Sequence, residues 1–123
     1  MTSITLYGGV GEVGGNKILV SEGKNSFFFD FGMSFKAMGM YFDEFMKPRK
    51  LNGMGDLLEM GILPELRGIY RQDYLRRMQR EPEKKPAVEG VFLSHAHADH
   101  VAHITYLRPD IPIYGTLPTC RIM

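Results

Sequence analysis

The side chains best suited to chemistry are concentrated in one short segment near the end of the chain. This segment contains all four histidines of the protein and an aspartate among them, at His95, His97, Asp99, His100 and His103. Imidazole nitrogen and carboxylate oxygen are ligands that suit zinc and manganese. The alternative is a polar loop in which the histidines are only solvated, but a run this dense favours a metal site. The segment therefore predicts a centre for metal-dependent hydrolysis.

The residues on either side of this segment predict how it is held. Residues 91–93 are apolar and predict a buried strand, whereas residues 101–107 are amphipathic and predict a helix. Asp99 or His100 is expected near the N-cap of that helix. The candidate ligands thus lie on a turn between a strand and a helix. Elsewhere the pattern predicts strands at residues 3–7, 17–21, 26–31, 88–93 and 111–114, and helices at residues 56–60, 72–79 and 116–123.

The spacing within the turn is suited to two metal ions. Residues two apart point the same way in extended backbone, so His95 and His97 can present their rings to one ion. Asp99 and His100 follow where the chain bends, and they can face a second ion nearby. His103 has helical spacing from His100 and can turn towards the site or towards solvent. We expect His103 not to be a ligand.

Three parts of the sequence carry a family resemblance. The pattern His-x-His-x-Asp-His at residues 95–100 resembles the signature of the metallo-β-lactamase superfamily. The opening LYGGVGEVGGNKILV and the closing ITYLRPDIPIYGTLPT resemble the β-CASP nucleases, especially ribonuclease J and its archaeal relatives. The resemblance implies an αββα sandwich, in which two β-sheets pack face to face with helices outside. Residues 1–123 would form the first half of that domain, an α/β (α+β) unit with a mixed sheet and flanking helices.

The resemblance also implies a function and a set of site residues. It implies a hydrolase that uses two zinc ions, with manganese as the alternative, to cleave phosphodiester bonds in RNA. His95 and His97 would bind the first ion, and Asp99 and His100 the second. Asp99 is also a candidate catalytic residue that accepts a proton from the attacking water. The alternatives are a small-molecule hydrolase of the glyoxalase kind and a non-catalytic metal-binding or interaction module.

The number of ligands in these 123 residues is small for a working centre. The family's later metal motifs and its inserted β-CASP domain have no counterpart here. Each ion would have only two ligands, whereas a tight zinc site needs three or four. We therefore expect a partial domain from the N-terminal end of a larger enzyme, inactive by itself. A missing C-terminal half, or a second copy in a homo-oligomer, would cover the apolar face of the sheet.

Asp30 interrupts an aromatic run, SFFFDF, that predicts a strand covered on both faces. A carboxylate in such a strand needs partners, because burying it unpaired costs several kcal/mol. One explanation is that Asp30 caps the following turn. The family resemblance favours another, in which Asp30 orients the histidine segment by holding a metal ligand through its free N–H.

Five glycines punctuate residues 8–15, immediately before Asn16. A glycine loop can cradle phosphate, but there is no Gly-Lys-Ser/Thr sequence and no Rossmann spacing to support a nucleotide site. Tight turns, where the backbone comes close to its neighbours, are the favoured interpretation. In the resembling family this loop approaches the metal site, which suggests a substrate-binding role for Asn16.

Composition and charge indicate which partners and which cellular compartment to expect. The net charge of +1 does not by itself argue for a nucleic-acid partner. Arginines at positions 67, 71, 76, 77 and 80, with tyrosines between them, either follow an RNA backbone or form a solvated face. The single cysteine fits a reducing cytosol, and no apolar stretch approaches the ~20 residues that span a bilayer. We therefore expect a cytoplasmic protein that does not bind membranes.

Overall fold

A five-stranded mixed β-sheet organises the protein. The computed structural model describes residues 1–42 and 45–123. The strands are β1 (Thr2–Gly8), β2 (Lys17–Glu22), β3 (Asn25–Phe29), β4 (Gly90–Phe92) and β5 (Ile113–Tyr114), in the order β1-β2-β3-β4-β5. The first three strands form an antiparallel meander, and β4 and β5 add to it in parallel. This sheet and its flanking helices confirm the predicted fold class.

The helices are short, and all but the last lie in the connections between β3 and β5. They are α1 (Phe35–Tyr41), α2 (Gly55–Glu59), α3 (Gln72–Arg77), α4 (Ala98–Val101) and α5 (Leu117–Ile122), with 3-10 turns at Lys50–Asn52 and Ala102–Tyr106. Helix α1 was not predicted, because its residues show no steady apolar period. A side-chain cap starts it, since the Ser34 hydroxyl accepts a hydrogen bond from the Ala37 N–H at 3.0 Å.

The core lies on one face of the sheet. Alternation along the strands turns Phe28 and Val91 towards it, and both are fully buried. Phe31 packs edge to face on Phe28, with 5.1 Å between the ring centroids. Other buried core residues are Met54, Leu57, Leu58, Ile62, Leu63, Ile69, Tyr70, Val88, Leu93, Leu107 and Ile111. The long connection from β3 to β4 thus supplies much of the cover for this face.

The opposite face of the sheet is aromatic and open. Phe27, Phe29, Phe92 and Tyr114 form a row that we call the aromatic face, with neighbouring ring centroids 4.9–5.5 Å apart. Phe29 and Tyr114 are each 45% exposed. Within the described residues β3 is therefore covered on one face only, and cover of its other face by further polypeptide or a second copy stays a prediction. The aromatic run reflected apolar side chains on both faces of the strand, and only the inner ones are covered by this chain.

Two predicted boundaries also need correction. Strand β3 ends at Phe29 rather than continuing to Phe31, because Asp30 takes a left-handed backbone conformation with φ of 57°. Helix α4 begins at Ala98 with His97 as its N-cap, earlier than expected, and residues 102–106 continue as a 3-10 turn. Among the described residues, no helix has the length and apolar character needed to cross a bilayer.

Candidate metal centre

The candidate ligands lie on one loop, residues 94–100, which we call the histidine loop. It follows β4, and its last three residues, 98–100, are the first residues of α4. The ring centroid of His95 is 4.7 Å from that of His97 and 4.0 Å from that of His100. Asp99 Oδ2 lies 3.4 Å from His100 Nε2. The fold thus brings together all four residues predicted to be ligands.

His103 lies in a different environment from the other histidines. It is 3% exposed, and its backbone N–H donates to the Phe31 carbonyl at 3.0 Å. Burial, with a smaller contribution from the charge of Lys17, lowers the pKa of His103 to about 3. Its ring packs edge to face on Tyr106. His103 is therefore a neutral core residue, and the expectation that it is not a ligand stays a prediction.

Asp30 is held beneath the histidine loop by the end of β3. Its Oδ1 accepts the Ser94 N–H at 2.8 Å, and its Oδ2 accepts the Ser94 hydroxyl at 2.8 Å. The same Oδ2 lies 2.8 Å from Nδ1 of His100. The predicted contact between Asp30 and the histidine loop is therefore present. The left-handed conformation of Asp30, which aspartate tolerates better than most residues, directs the carboxylate there.

The glycine loop, residues 8–16, packs against the other side of the histidine loop. The Gly15 N–H donates to the Asp99 carbonyl at 2.9 Å. A Cβ atom added at Gly14 would collide with the Asp99 side chain, and one added at Gly32 would collide with the Asp99 carbonyl. These contacts favour the tight-turn interpretation over a phosphate cradle, because Gly14 and Gly15 are used for close approach to Asp99.

Asn16 ends the glycine loop and lies against the ring of His100. Its Nδ2 is 3.2 Å from His100 Nδ1, and its carbonyl accepts the Gly32 N–H at 3.0 Å. Asn16 is half-buried rather than projecting into open space. The contact places Asn16 at the candidate centre, and its role towards a substrate stays a prediction.

Two residues near the centre were missed by the sequence interpretation. Lys17 is 1% exposed, and its Nζ donates to the Gly32 carbonyl at 2.6 Å. Burial lowers the pKa of Lys17 to about 8, although the charge of Glu12 acts in the opposite direction. Ser94 contacts Asp30, as above, and its hydroxyl also lies 2.9 Å from Nδ1 of His95. A hydroxyl immediately before the first histidine was the available signal for Ser94, whereas nothing local marked Lys17.

The donor set fits zinc in its chemistry. A metal-bound imidazole usually donates its other N–H to a carboxylate or carbonyl. His100 has this arrangement, because Asp30 occupies Nδ1 and leaves Nε2 on the side of Asp99. As they stand, however, no three His, Cys, Asp or Glu side chains among residues 1–42 and 45–123 surround a point closely enough to hold an ion. Binding would require side-chain rotation or additional ligands.

The arginine-rich stretch is largely neutralised by ion pairs. Arg71 binds Asp73 at 2.8 Å, and its guanidinium lies 4.5 Å from the centroid of the Tyr74 ring. Arg80 binds Glu65 at 2.8 Å, and Arg67 pairs with Glu83. Three of the five arginines in this stretch have carboxylate partners. The arrangement therefore favours a solvated, ion-paired face over an RNA-binding track.

Comparison with known proteins agrees with the site motif. The model of the β-lactamase superfamily domain matches residues 63–123. Ribonuclease J of Helicobacter pylori is 30% identical over 115 residues, which is 92% of this chain and 13% of that protein. Ribonuclease J of Pyrococcus abyssi is 30% identical over 126 aligned positions, covering 99% of this chain and 24% of that protein.

A solved structure extends the likeness from sequence to fold. It is a protein of unknown function from Enterococcus faecalis, with a TM-score of 0.70 and 30% sequence identity. The match covers 98% of this chain and 26% of that one. The chain thus spans about a quarter or less of the length of these relatives. Motif, sheet and sequence agree that the chain belongs to the metallo-β-lactamase superfamily and is similar there to the ribonucleases J.

Proposed function

We propose that this chain carries part of the metal centre of a ribonuclease that hydrolyses phosphodiester bonds. The observation that carries the proposal is the arrangement around His100. Its Nδ1 is occupied by Asp30 at 2.8 Å, and its Nε2 faces the carboxylate of Asp99 at 3.4 Å. This is how an imidazole is prepared to act as a metal ligand through Nε2.

The proposed roles follow from the positions of the side chains. His95 and His97 would hold one zinc ion, and Asp99 and His100 a second, with manganese as an alternative. The bound ions supply Lewis acidity to the phosphate and acidify a water. Asp99 would accept the proton of the attacking water, since carboxylates serve as general bases. Asp30 would keep His100 in one orientation and one tautomer.

RNA is the proposed substrate because two relatives that match nearly the whole chain are named ribonuclease J. Asn16 is proposed to contribute on the substrate side, where the glycine loop meets the histidine loop. The ion pairs of Arg67, Arg71 and Arg80 give little support to an RNA-binding track along residues 67–80, so RNA would be held mainly elsewhere in the assembled enzyme.

We also propose that a second β-sheet covers the aromatic face. Phe29 and Phe92 are 45% and 38% exposed, and Ile4 and Leu6 are also largely exposed. Soluble proteins rarely leave a large contiguous apolar surface in water. The cover would come from further polypeptide or from a second copy of the chain, as the two-sheet sandwich of the family implies.

Metal uptake provides the direct test. Zinc and manganese binding to the chain would be measured by competition with a chelating dye. Asp99→Asn and His97→Ala should reduce uptake, whereas Asp73→Asn, which alters an exposed carboxylate on α3, should not. Equal metal uptake by the wild type and the three variants would overturn the assignment of the ligands. Absence of uptake in every protein would favour the non-catalytic interaction module.

Substrate class is tested separately with labelled RNA and with a thioester. The 123-residue chain alone should cleave RNA more slowly than ~1 per second, the lower end of typical enzyme turnover, because it supplies few ligands. A longer natural protein containing this chain should cleave RNA, and His97→Ala should abolish the activity. Hydrolysis of the thioester without cleavage of RNA would instead identify a small-molecule hydrolase.

A further inference from the structure

We propose that Ser94 is a positioning residue that extends the influence of Asp30 from His100 to His95. Through the Ser94 hydroxyl, one carboxylate would determine which ring nitrogen is protonated on two candidate ligands. The inference rests on the proposed function, because it matters for chemistry only if His95 and His100 bind metal. The hydrogen-bond geometry itself is independent of that proposal.

Ser94 is at the centre of a continuous set of short contacts. Its hydroxyl oxygen lies 2.8 Å from Asp30 Oδ2 and 2.9 Å from His95 Nδ1. Its backbone N–H also donates to Asp30 Oδ1 at 2.8 Å, which fixes the position of the residue relative to the carboxylate. Asp30 is 6% exposed, so water has little access to compete for its oxygens. The series therefore runs from His95 through Ser94 and Asp30 to His100.

Counting protons determines the direction of each hydrogen bond. An ionised carboxylate only accepts, and a hydroxyl has a single proton to donate. If Ser94 donated to His95, its oxygen would face Asp30 Oδ2 at 2.8 Å with no proton between them. Two bare oxygens at that distance repel, so the hydroxyl donates to Asp30. The same oxygen then accepts from His95, which places the proton of His95 on Nδ1.

His100 reaches the same tautomer by a direct route. Its Nδ1 is 2.8 Å from Asp30 Oδ2, closer than its contacts with Asn16 at 3.2 Å and Ser94 at 3.3 Å. A hydrogen bond to a charged acceptor is the stronger one, so His100 donates Nδ1–H to Asp30. His95 and His100 therefore both keep Nε2 free of a proton, and their rings lie 4.0 Å apart by centroid.

The consequence is that two imidazoles are prepared as ligands before any ion arrives. A neutral imidazole can bind a metal only through the nitrogen that lacks the proton, and the partner of the other nitrogen decides which that is. Without the Ser94 hydroxyl, His95 would lose its acceptor at Nδ1. Its proton would then distribute between both nitrogens, and part of the population would present the wrong one.

The test is nuclear magnetic resonance of the metal-free chain labelled with nitrogen-15 in histidine, under conditions where the imidazoles are neutral. Long-range proton–nitrogen correlations distinguish the two tautomers of each ring. In the wild type, His95 and His100 should both be protonated at Nδ1. In Ser94→Ala, His95 should shift towards protonation at Nε2 while His100 is unchanged, because its contact with Asp30 is direct. His103, buried away from the loop, provides the internal reference.

A conservative variant separates this role from a merely structural one. Ser94→Thr keeps the hydroxyl and should restore the wild-type tautomer of His95. Ser94→Cys keeps the size but hydrogen-bonds weakly, so it should resemble Ser94→Ala. If the alanine variant does not fold, the comparison between threonine and cysteine variants gives the same information. An unchanged His95 tautomer in Ser94→Ala or Ser94→Cys would overturn the proposal.

Zinc titration of the same proteins distinguishes this inference from the proposed function. Ser94→Ala should lower zinc affinity by about 10-fold, at the lower end of losses seen when a partner of a ligand is removed. If the His95 tautomer changes as expected but neither protein binds zinc, the metal function fails while the assignment of Ser94 stands. If the wild type binds zinc and Ser94→Ala binds it equally well, the Ser94 proposal fails while the metal function stands.

Discussion

Replacing Asp30 should loosen the histidine loop and weaken metal binding at the same time. The carboxylate accepts two hydrogen bonds from Ser94 and one from His100, each at 2.8 Å. Hydrogen bonds to charged groups contribute ~1.5–3 kcal/mol each, although water replaces part of this at the exposed Ser94. In Asp30→Ala the new residue must also adopt φ of 57°, which costs ~1–2 kcal/mol for a residue without a polar side chain.

These contributions give the expected size of the effect. Counting one full charged hydrogen bond together with the backbone strain, Asp30→Ala should lower the free energy of unfolding by ~2.5–5 kcal/mol. Asp30→Asn is the matched control, because asparagine tolerates the left-handed conformation. It should lose only the difference between a charged and a neutral hydrogen bond, ~1–1.5 kcal/mol. Zinc affinity should fall by about 10- to 100-fold in both variants, since each leaves His100 without a charged acceptor.

Urea unfolding of the metal-free chain would measure the first effect, and zinc competition titration the second. The histidine signals of the metal-free variants would show whether His100 has lost its fixed tautomer. The reasoning would be refuted by Asp30→Ala and Asp30→Asn proteins whose zinc affinity equals that of the wild type. A loss of stability no larger than the backbone strain alone would show that the carboxylate does not hold the loop.

Three further predictions concern packing and charge. Burial lowers the pKa of Lys17 to about 8, so the unfolded chain binds more protons than the folded one between that value and the usual lysine pKa of 10.5. The free energy of unfolding should therefore rise with pH from 8 to 10, by up to about 3 kcal/mol at ~1.4 kcal/mol per pH unit. Urea unfolding at several pH values would measure this slope, and Lys17→Met should remove it. Gly32→Ala should destabilise the chain strongly in thermal unfolding, because the new Cβ would collide with the Asp99 backbone. Gly39→Ala is the control, because the space around Gly39 is open, and it should be neutral or stabilising by ~0.5–1 kcal/mol. The isolated chain should associate or aggregate through the aromatic face, and light scattering should show that Phe92→Lys makes it monomeric; a monomeric wild type would contradict this.

Local sequence patterns were sufficient to identify the strands and the turn that position the candidate metal ligands. The alternation of β1 and β2, the aromatic run of β3 and the apolar residues before the histidine loop all predicted strands that the fold contains. The spacing of His95, His97, Asp99 and His100 predicted one cluster, because neighbours on a single turn cannot separate far. These features are local, so they can be read from residues a few positions apart.

Element ends were less predictable, because they depend on backbone conformations that do not follow from residue type alone. Strand β3 ends where Asp30 takes a left-handed backbone conformation. Helix α4 begins at Ala98, where the Gly15 N–H of the glycine loop donates to the Asp99 carbonyl. Helix α1 depends on the Ser34 cap rather than on an apolar period. In each case a specific contact, rather than a periodic pattern, sets the boundary.

The family resemblance suggested Asp30, but only the tertiary structure showed which further side chains, Ser94 and Lys17, support the centre. Ser94 and Asp30 are separated by 64 residues, and Lys17 lies 15 residues before the carbonyl that it binds. Ser94 meets Asp30 because β3 and β4 lie side by side in parallel, which brings the end of one strand beneath the loop that leaves the other. Lys17 meets the Gly32 carbonyl because β2 pairs antiparallel with β3, which places the start of β2 beside the end of β3. Periodicity reports which face of an element is buried, whereas these hydrogen bonds depend on which elements become neighbours.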